Sequence, residues 1–238
     1  MSQVVKNKRP AAMAVRAGAM AAIAAKPAHQ SSGGRGQKPE ATRQNIIDVA
    51  TREFARNGLS GARVDEIAAK TGSSKRMIYY YFRDKEGLYV SVLEAAYRKI
   101  RTIEAGLDLE HLPPVEALRR LVEFTFDHHN SNEDFIRLVM IENIHHGEYL
   151  DRSSIIQELN VSAIGEIDRL YKRGVKAGLF RKGLAPIDLH WQISALCFFN
   201  VSNRATFSKI FRLDLSARTA QQALREQVVE MVLRNVLK

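Results

Sequence analysis

Apolar residues recur at helical spacing along most of the chain. Between residues 41 and 57, Ile46, Ile47, Ala50 and Phe54 fall on one face of a helix, and a glycine follows as a stop signal. The same spacing predicts further helices, in chain order over 64–71, 74–82, 85–105, 114–130, 132–146, 153–177, 186–202 and 216–237. No alternating pattern of useful length predicts a strand. The chain is therefore expected to be all-α.

Residues 71–86, with the sequence TGSSKRMIYYYFRDKE, have the layout of a helix-turn-helix. Gly72 ends one short helix, and Ser74 is a suitable N-cap because its hydroxyl can accept a free backbone N–H. The next short helix is dense in Lys, Arg and Tyr and runs to Phe82. The second helix of such a motif lies in the DNA major groove, so DNA binding is the leading interpretation.

Charge strengthens this interpretation because of where it lies. The chain carries a formal +10, of which residues 1–40 contribute +6 and residues 41–85 contribute +4. Residues 86–238 hold equal numbers of acidic and basic side chains. A basic head on a neutral body favours a polyanionic partner. The alternative, a basic face kept only for solubility, would not predict this segregation.

Other classes of protein receive little support from the composition. The single Cys197 gives no disulfide framework and indicates a reducing compartment, which favours the cytoplasm. No apolar run reaches the roughly 20 residues that span a membrane. Patterns for a phosphate loop, a zinc protease or a serine hydrolase are missing, so neither an enzyme nor a cofactor is expected. The pairs His128-His129 and His145-His146 are adjacent rather than four residues apart, which disfavours a metal site.

Several segments together resemble the TetR family of transcriptional regulators. They are the first helix, the run GARVDEIA at 61–68, the helix-turn-helix, and KEGL at 85–88. This resemblance covers about residues 41–90, and the remainder agrees in the number and order of helices. Within the family, residues 136–142 and 184–188 are similar to the regulatory domain of the pyrimidine-utilisation repressors. The resemblance implies a homodimeric repressor that binds a palindromic operator and is released by a small-molecule effector.

The resemblance divides the chain into three parts. Residues 1–38, rich in Ala, Gly, Ser and basic residues, are expected to form a flexible basic arm that adds phosphate or minor-groove contacts. The alternative for this segment is a start codon assigned too far upstream. Residues 39–85 are expected to form the helix-turn-helix domain, and residues 86–238 a helical domain for effector binding and dimerisation.

Two positions depart from the family pattern. Ala62 stands where members usually carry a hydroxyl residue, so a cap or phosphate contact is lost unless Ser60 or Arg63 replaces it. Ser73 stands where Val is usual, which is expected to reduce packing behind the recognition helix.

The expected DNA contacts centre on the first turn of the recognition helix, which enters the groove most deeply. Arg76 can bond bidentately to guanine, and Met77 can touch a thymine methyl. Lys85 begins the fourth helix, where free N–H groups favour a phosphate. The full expected DNA-binding set is Thr42, Arg43, Arg63, Ser74, Lys75, Arg76, Met77, Tyr79, Tyr80 and Lys85.

The second half of the chain offers side chains for an effector pocket, which usually combines apolar walls with a few polar groups. The expected set is Tyr97, Phe124, His128, Met140, Asn143, Trp191, Phe198, Asn200 and Arg204. Asn143 and Asn200 lie on otherwise apolar helices, so each needs a partner, which is a ligand, the backbone, water or the second subunit. Asn, His and Arg among aromatic residues favour a planar heterocycle or an aromatic acid.

The last two predicted helices carry the dimer hypothesis. Their apolar stripes are Leu189, Ile193, Leu196 and Phe199, and Leu224, Val228, Met231 and Val232. Two such helices from each subunit would form a four-helix bundle. The main alternative function is an architectural DNA-binding protein with little sequence preference; an enzyme of an unrecognised helical class has no supporting group of residues.

Overall fold

The computed structural model describes residues 37–238, and their regular structure is helical. The helices are α1 (Gln37–Gly61), α2 (Val64–Thr71), α3 (Lys75–Phe82), α4 (Lys85–Ala105), α5 (Pro114–Ser131), α6 (Glu133–Ile144), α7 (Ser154–Lys176), α8 (Pro186–Ser202), α9 (Arg204–Phe211) and α10 (Arg218–Val236). A 3-10 turn covers Leu150–Arg152, and one isolated bridge joins Phe180 and Leu237. The predicted all-α class is confirmed. Apart from the backbone of its last two residues, the basic arm lies outside the described residues.

The head consists of α1, α2 and α3, and its turns follow from local sequence signals. Gly58 has φ 69° within α1 and marks a kink near its end. Gly72 takes the left-handed conformation that ends α2, with φ 63°. The Ser74 hydroxyl accepts a hydrogen bond from the Met77 N–H at 3.1 Å and thereby caps α3. The predicted helix-turn-helix is confirmed.

The hydrophobic core of the head continues into α4. Ile46 and Phe54 of α1 and Ile78 of α3 are buried in one cluster with Leu88 and Tyr89 of α4. The Phe54 and Tyr89 rings meet edge to face, with centroids 5.0 Å apart. Because α4 runs unbroken to Ala105, it connects the head directly to the body.

The body has a second hydrophobic cluster, built from α5, α7, α8 and α10. The backbone of α7 lies close to a buried side chain at Gly174, since a Cβ at this position would overlap the buried Phe180 ring. The Tyr171 hydroxyl donates to the Arg181 carbonyl at 2.7 Å and accepts from the Leu184 N–H at 3.1 Å, which holds the α7–α8 connection.

The C-terminal region differs from the sequence prediction in two ways. Helix α9 was not predicted, and it carries the exposed Ile210 and Phe211. Four residues of the predicted dimer stripes, Leu189, Ile193, Val228 and Val232, are buried within the subunit's own core. They pack between helices of one chain and therefore cannot supply the dimer contact.

Candidate DNA-binding surface and effector cavity

The recognition helix α3 separates a packing face from an exposed face. Ile78 and Phe82 are buried in the head. Met77 and Tyr79 are each about two-fifths exposed, and Tyr80 is 79% exposed. Arg76 is exposed, and its side chain has no ion pair or hydrogen bond among the described residues. This face therefore presents one basic and several long side chains to an approaching groove.

Three other basic residues of the expected set are held by the head itself. Lys75 Nζ lies 2.7 Å from a carboxylate oxygen of Asp65, which raises the pKa of Lys75. Lys85 Nζ donates to the Ser60 carbonyl at 3.1 Å. The Arg43 guanidinium lies over the Phe82 ring, 5.3 Å from its centroid. These contacts fix the direction of each cation beside α3.

The departure at Ala62 has the expected structural consequence. Ala62 is buried, and Arg63 occupies the N-cap of α2 without a side-chain cap hydrogen bond. Ser60 contributes its carbonyl to Lys85 rather than a cap to α2. Thr42, the remaining member of the expected set, is half-buried near the start of α1.

A buried carboxylate joins the first two helices of the head. Glu53 of α1 accepts hydrogen bonds from Lys70 Nζ at 2.9 Å and from the Asn57 amide at 2.7 Å. The bond from Lys70 is the main reason why the pKa of Glu53 is lowered, and burial opposes it. This pair connects α1 to α2 and was not predicted from the sequence.

The body contains a cavity of about 400 Å³ between α4, α5, α6, α7 and α8, called here the aromatic cavity. Its volume lies in the range of small-molecule sites. Its lining residues are Tyr97, Ile100, Arg101, His129, Phe135, Val139, Asn143, Asn160, His190, Trp191, Ser194, Ala195 and Phe198. Aromatic walls thus surround a few polar groups.

The aromatic cavity brings together four of the nine residues expected in an effector pocket: Tyr97, Asn143, Trp191 and Phe198. Trp191 is 70% exposed although it lines the cavity. The Tyr97 ring meets Phe135 edge to face at 5.4 Å, and burial raises the pKa of Tyr97.

The other five expected residues lie outside the aromatic cavity. Asn200 exchanges two amide hydrogen bonds with Gln221, at 3.0 and 3.1 Å. Arg204 donates to Asn130 at 2.5 Å. Phe124 packs against His128, with ring centroids 5.7 Å apart, and Met140 is exposed on α6. Asn200 and Arg204 therefore have hydrogen-bond partners within the chain, and none of these five residues lines the aromatic cavity.

Three cavity residues that sequence reasoning did not select supply its electrostatics: Arg101, His129 and His190. The Arg101 guanidinium donates to Glu104 and, at 3.1 Å, to Asn160. Burial lowers the pKa of His129 and of His190 to about 4. Both imidazoles are therefore neutral at pH 7. Arg101 lies four residues after Tyr97 on α4, and this helical spacing is the signal that could have identified it.

A second, more polar space of about 810 Å³ lies between the head and the α5–α6 corner and is called here the head cleft. It is lined by Gln44, Asp48 and Arg52 of α1, by Lys99 of α4, and by a corner segment that includes His128 and Phe135. Phe135 also lines the aromatic cavity. One side chain thus borders both spaces.

The described residues contain neither a metal-ligating cluster nor a membrane-spanning helix. No group of three or more His, Cys, Asp or Glu side chains within residues 37–238 is placed to hold a metal ion. Over the same range, no helix has both the length and the apolar character needed to cross a membrane.

An exposed recognition helix joined to a cavity-containing helical body defines a one-component transcriptional regulator. The model of bacterial regulatory proteins of the tetR family matches residues 46–92, and the model of the tetracyclin repressor-like C-terminal domain matches residues 114–232. The chain belongs to the TetR family of ligand-responsive transcriptional regulators and is not an enzyme.

Curated relatives and solved structures agree with this membership. The chain is 33% identical over 207 residues to the repressor NicS of Pseudomonas putida, covering 87% of this chain and 98% of NicS. It is 26% identical over 210 residues to the regulator RutR of Escherichia coli, covering 88% and 95%. A transcriptional regulator of Streptomyces coelicolor has a similar structure, with a TM-score of 0.63, 27% identity, and coverage of 82% of this chain and 98% of that one.

Proposed function

We propose that the protein is a homodimeric repressor that binds a palindromic operator and leaves it when a small planar heterocycle or aromatic acid occupies the aromatic cavity. The observation that carries the proposal is the course of α4. Its first half packs in the core of the head through Leu88 and Tyr89, and its second half presents Tyr97 and Arg101 to the cavity. A ligand that contacts α4 can therefore change where the head lies.

The proposed operator contacts divide into two kinds. Arg76 and Met77, on the exposed face of α3, read base edges in the major groove. Lys85, Lys75, Arg43 and Arg63 contact phosphates together with Thr42, Ser74, Tyr79 and Tyr80, which fixes the position of α3 on the duplex. On binding, the Lys75 ammonium exchanges the Asp65 carboxylate for a DNA phosphate.

The proposed dimer interface uses exposed apolar residues of the last three helices. On α8 and α10 these include Phe199 and Met231, each about half exposed. On α9 and just after it they are Ile210, Phe211 and Leu213, all more than half exposed. A two-fold interface on this surface would place two heads about one DNA turn apart and so require a palindrome.

Induction is proposed to be a shift between two head spacings. A ligand releases the operator only if it binds the DNA-incompetent spacing more tightly than the competent one, because equal affinity shifts nothing. In this scheme the boundary between the DNA-binding head and the regulatory body falls near residue 85. The repressor acts in the cytoplasm, where bacterial DNA lies.

Selection of a random DNA library on the purified full chain at about 0.15 M salt tests the proposal. An enriched palindrome with half-sites about one turn apart supports a dimeric operator reader. Tight binding without enrichment contradicts it and favours the architectural alternative, whose affinity would follow only the steep salt dependence of phosphate contacts. A monomeric mass at micromolar concentration would contradict the dimer.

A further inference from the structure

The turn between α3 and α4 holds an arginine in a backbone conformation that favours glycine. Arg83 has φ 68° and ψ −58°. Its N–H donates to the Tyr79 carbonyl at 2.8 Å, and the following N–H, that of Asp84, donates to the Phe82 carbonyl at 2.9 Å. The second hydrogen bond closes a γ-turn centred on Arg83. A γ-turn with positive φ is rare and strained.

Three other non-glycine residues of the described chain have positive φ, and they are easier to explain. Asp108 and His146 belong to residue types that are enriched at positive φ. Arg212 has φ 54° and ψ 43°, within the left-handed helical region. Since Arg83 lies outside that region, its conformation is the less favourable of the two arginines.

Contacts on both sides prevent the turn from relaxing. The Asp84 carboxylate accepts a hydrogen bond from the Gly87 N–H at 2.6 Å and caps α4. A Cβ at Gly87 would lie 2.2 Å from the Phe82 carbonyl oxygen, so the start of α4 lies directly against the end of α3. The Phe82 side chain is itself buried in the head. The path between the two helices therefore imposes a positive φ on residue 83, which glycine would adopt at the lowest cost.

The Arg83 side chain makes no contact within the head that would offset this strain. It is exposed, and it has no ion pair or hydrogen bond with any other part of residues 37–238. Arg83 follows Tyr79 by four residues and precedes Lys85 by two, and both of these are expected DNA contacts. Strained residues without structural compensation are concentrated at functional sites.

We propose that Arg83 is a further phosphate contact of the operator complex. Its guanidinium is always charged, and its planar set of N–H donors matches the oxygens of a phosphate. Because the turn is fixed on both sides, the backbone that carries this charge loses little freedom on binding. The inference rests on the proposed function and adds a contact whose own conformation makes the free head less stable.

Three variants of the full chain test the inference by fluorescence anisotropy, on the selected operator and on an unrelated duplex of equal length. Arg83→Gln removes the charge and keeps the strain, Arg83→Gly removes both, and Arg83→Lys keeps the charge. We expect the Gln and Gly variants to bind both duplexes about tenfold more weakly at about 0.15 M salt. Their salt dependence should fall by about one counterion per subunit, and Arg83→Lys should preserve it.

Urea unfolding separates a binding role of Arg83 from a structural one. Arg83→Gly should raise the urea midpoint, because glycine adopts this φ without steric cost, although the variant binds DNA more weakly. Arg83→Gln should leave the midpoint unchanged. The matched control is Arg119→Ala, which removes the same charge from an exposed position of α5 in the body. It should change DNA affinity by less than about twofold.

The opposing outcomes distinguish this contact from operator binding itself. DNA affinity and salt dependence that are unchanged in Arg83→Gln would overturn the inference alone, and so would a lower urea midpoint for Arg83→Gly. Relaxed selection at one base pair with an unchanged salt dependence would also overturn it, because Arg83 would then read a base. Failure of the unaltered chain to bind the operator more tightly than the unrelated duplex would contradict the proposed function instead.

Discussion

His128 and His129 are adjacent on α5 but border different spaces, since His128 lines the head cleft and His129 lines the aromatic cavity. Their ring centroids lie 6.1 Å apart. The Phe135 ring packs against both, with its centroid 6.0 Å from each imidazole. Three rings, those of His128, His129 and Phe135, therefore separate the aromatic cavity from the head cleft.

Substitution of Phe135 is expected to weaken the response to ligand more than the binding of DNA. Phe135→Leu removes the ring that borders both spaces, while the head core in α1 and α3 stays unchanged. We expect operator affinity without ligand to stay within about twofold of the original, and release by a saturating effector of the proposed class to be weakened about tenfold. Fluorescence anisotropy of a labelled operator measures both. Phe124→Leu is the matched control, because Phe124 contacts His128 but does not line the aromatic cavity.

The buried histidines predict a loss of stability in mild acid. Burial lowers the pKa of His128, of His129 and of His190, each to about 4. In the unfolded chain each imidazole binds a proton near pH 6.5, whereas in the folded chain it does so only near pH 4. The free energy of unfolding therefore falls as the pH drops from 6.5 to 4. Each histidine contributes a slope of about 1.4 kcal/mol per pH unit at most. Urea unfolding at pH 7 and pH 5 measures the change.

A single variant isolates the contribution of His128. Both of its ring nitrogens are buried without a partner, so His128→Phe is expected to raise stability at pH 5 relative to the unaltered chain. The difference between the two proteins should be smaller at pH 7, where the imidazole is neutral in both states. An identical pH dependence in both proteins would show that His128 does not titrate on unfolding.

The head could be predicted from the sequence because its signals are local. Gly72 and Ser74 act within three residues of their own position, as a left-handed terminus and an N-cap. The burial of Ile78 and Phe82 follows from helical spacing alone. Helix α9 was not predicted because its C-cap is Arg212, whose φ of 54° is a left-handed conformation usually marked by glycine or asparagine.

The cavity could be predicted only in part because its contacts are distant in sequence. Asn200 is satisfied by Gln221, 21 residues away, and no local pattern indicates that pairing. The expected effector pocket does not include Arg101, because a charged residue on a helix usually faces solvent. Its pairing with Glu104 and Asn160 allows it to face inward instead. Hydrogen-bond partners that are distant in sequence therefore determine which polar side chains face the cavity, and a local pattern does not show them.

Two glycines of α7 are expected to respond oppositely to alanine. A Cβ at Gly174 would overlap the buried Phe180 ring, whereas at Gly165 the nearest atom would be Arg169 Nη1 at an ordinary 3.6 Å. Gly174→Ala should therefore destabilise the chain by about 1–3 kcal/mol through overpacking. Gly165→Ala should stabilise it by up to about 1 kcal/mol through helix propensity. Urea unfolding at pH 7 measures the free energy of unfolding of both variants. Equal changes in the two would contradict the close packing of α7 on Phe180.

Arg76 and Lys85 are expected to affect DNA binding in different ways. The Arg76 side chain is exposed and unpaired on α3 and is proposed to read a base, so Arg76→Ala should lower affinity by about 1–3 kcal/mol and relax selection at one base pair of each half-site. Lys85 lies at the N-terminus of α4, where a phosphate is favoured. Lys85→Ala should weaken binding to all sequences alike and reduce the salt dependence by about one counterion per subunit.

Anisotropy titrations over a salt series, on the selected operator and on single-base variants, distinguish the effect of Arg76→Ala from that of Lys85→Ala. If Arg76→Ala kept full discrimination, Arg76 would not be a base reader, and Met77 alone would remain in that role.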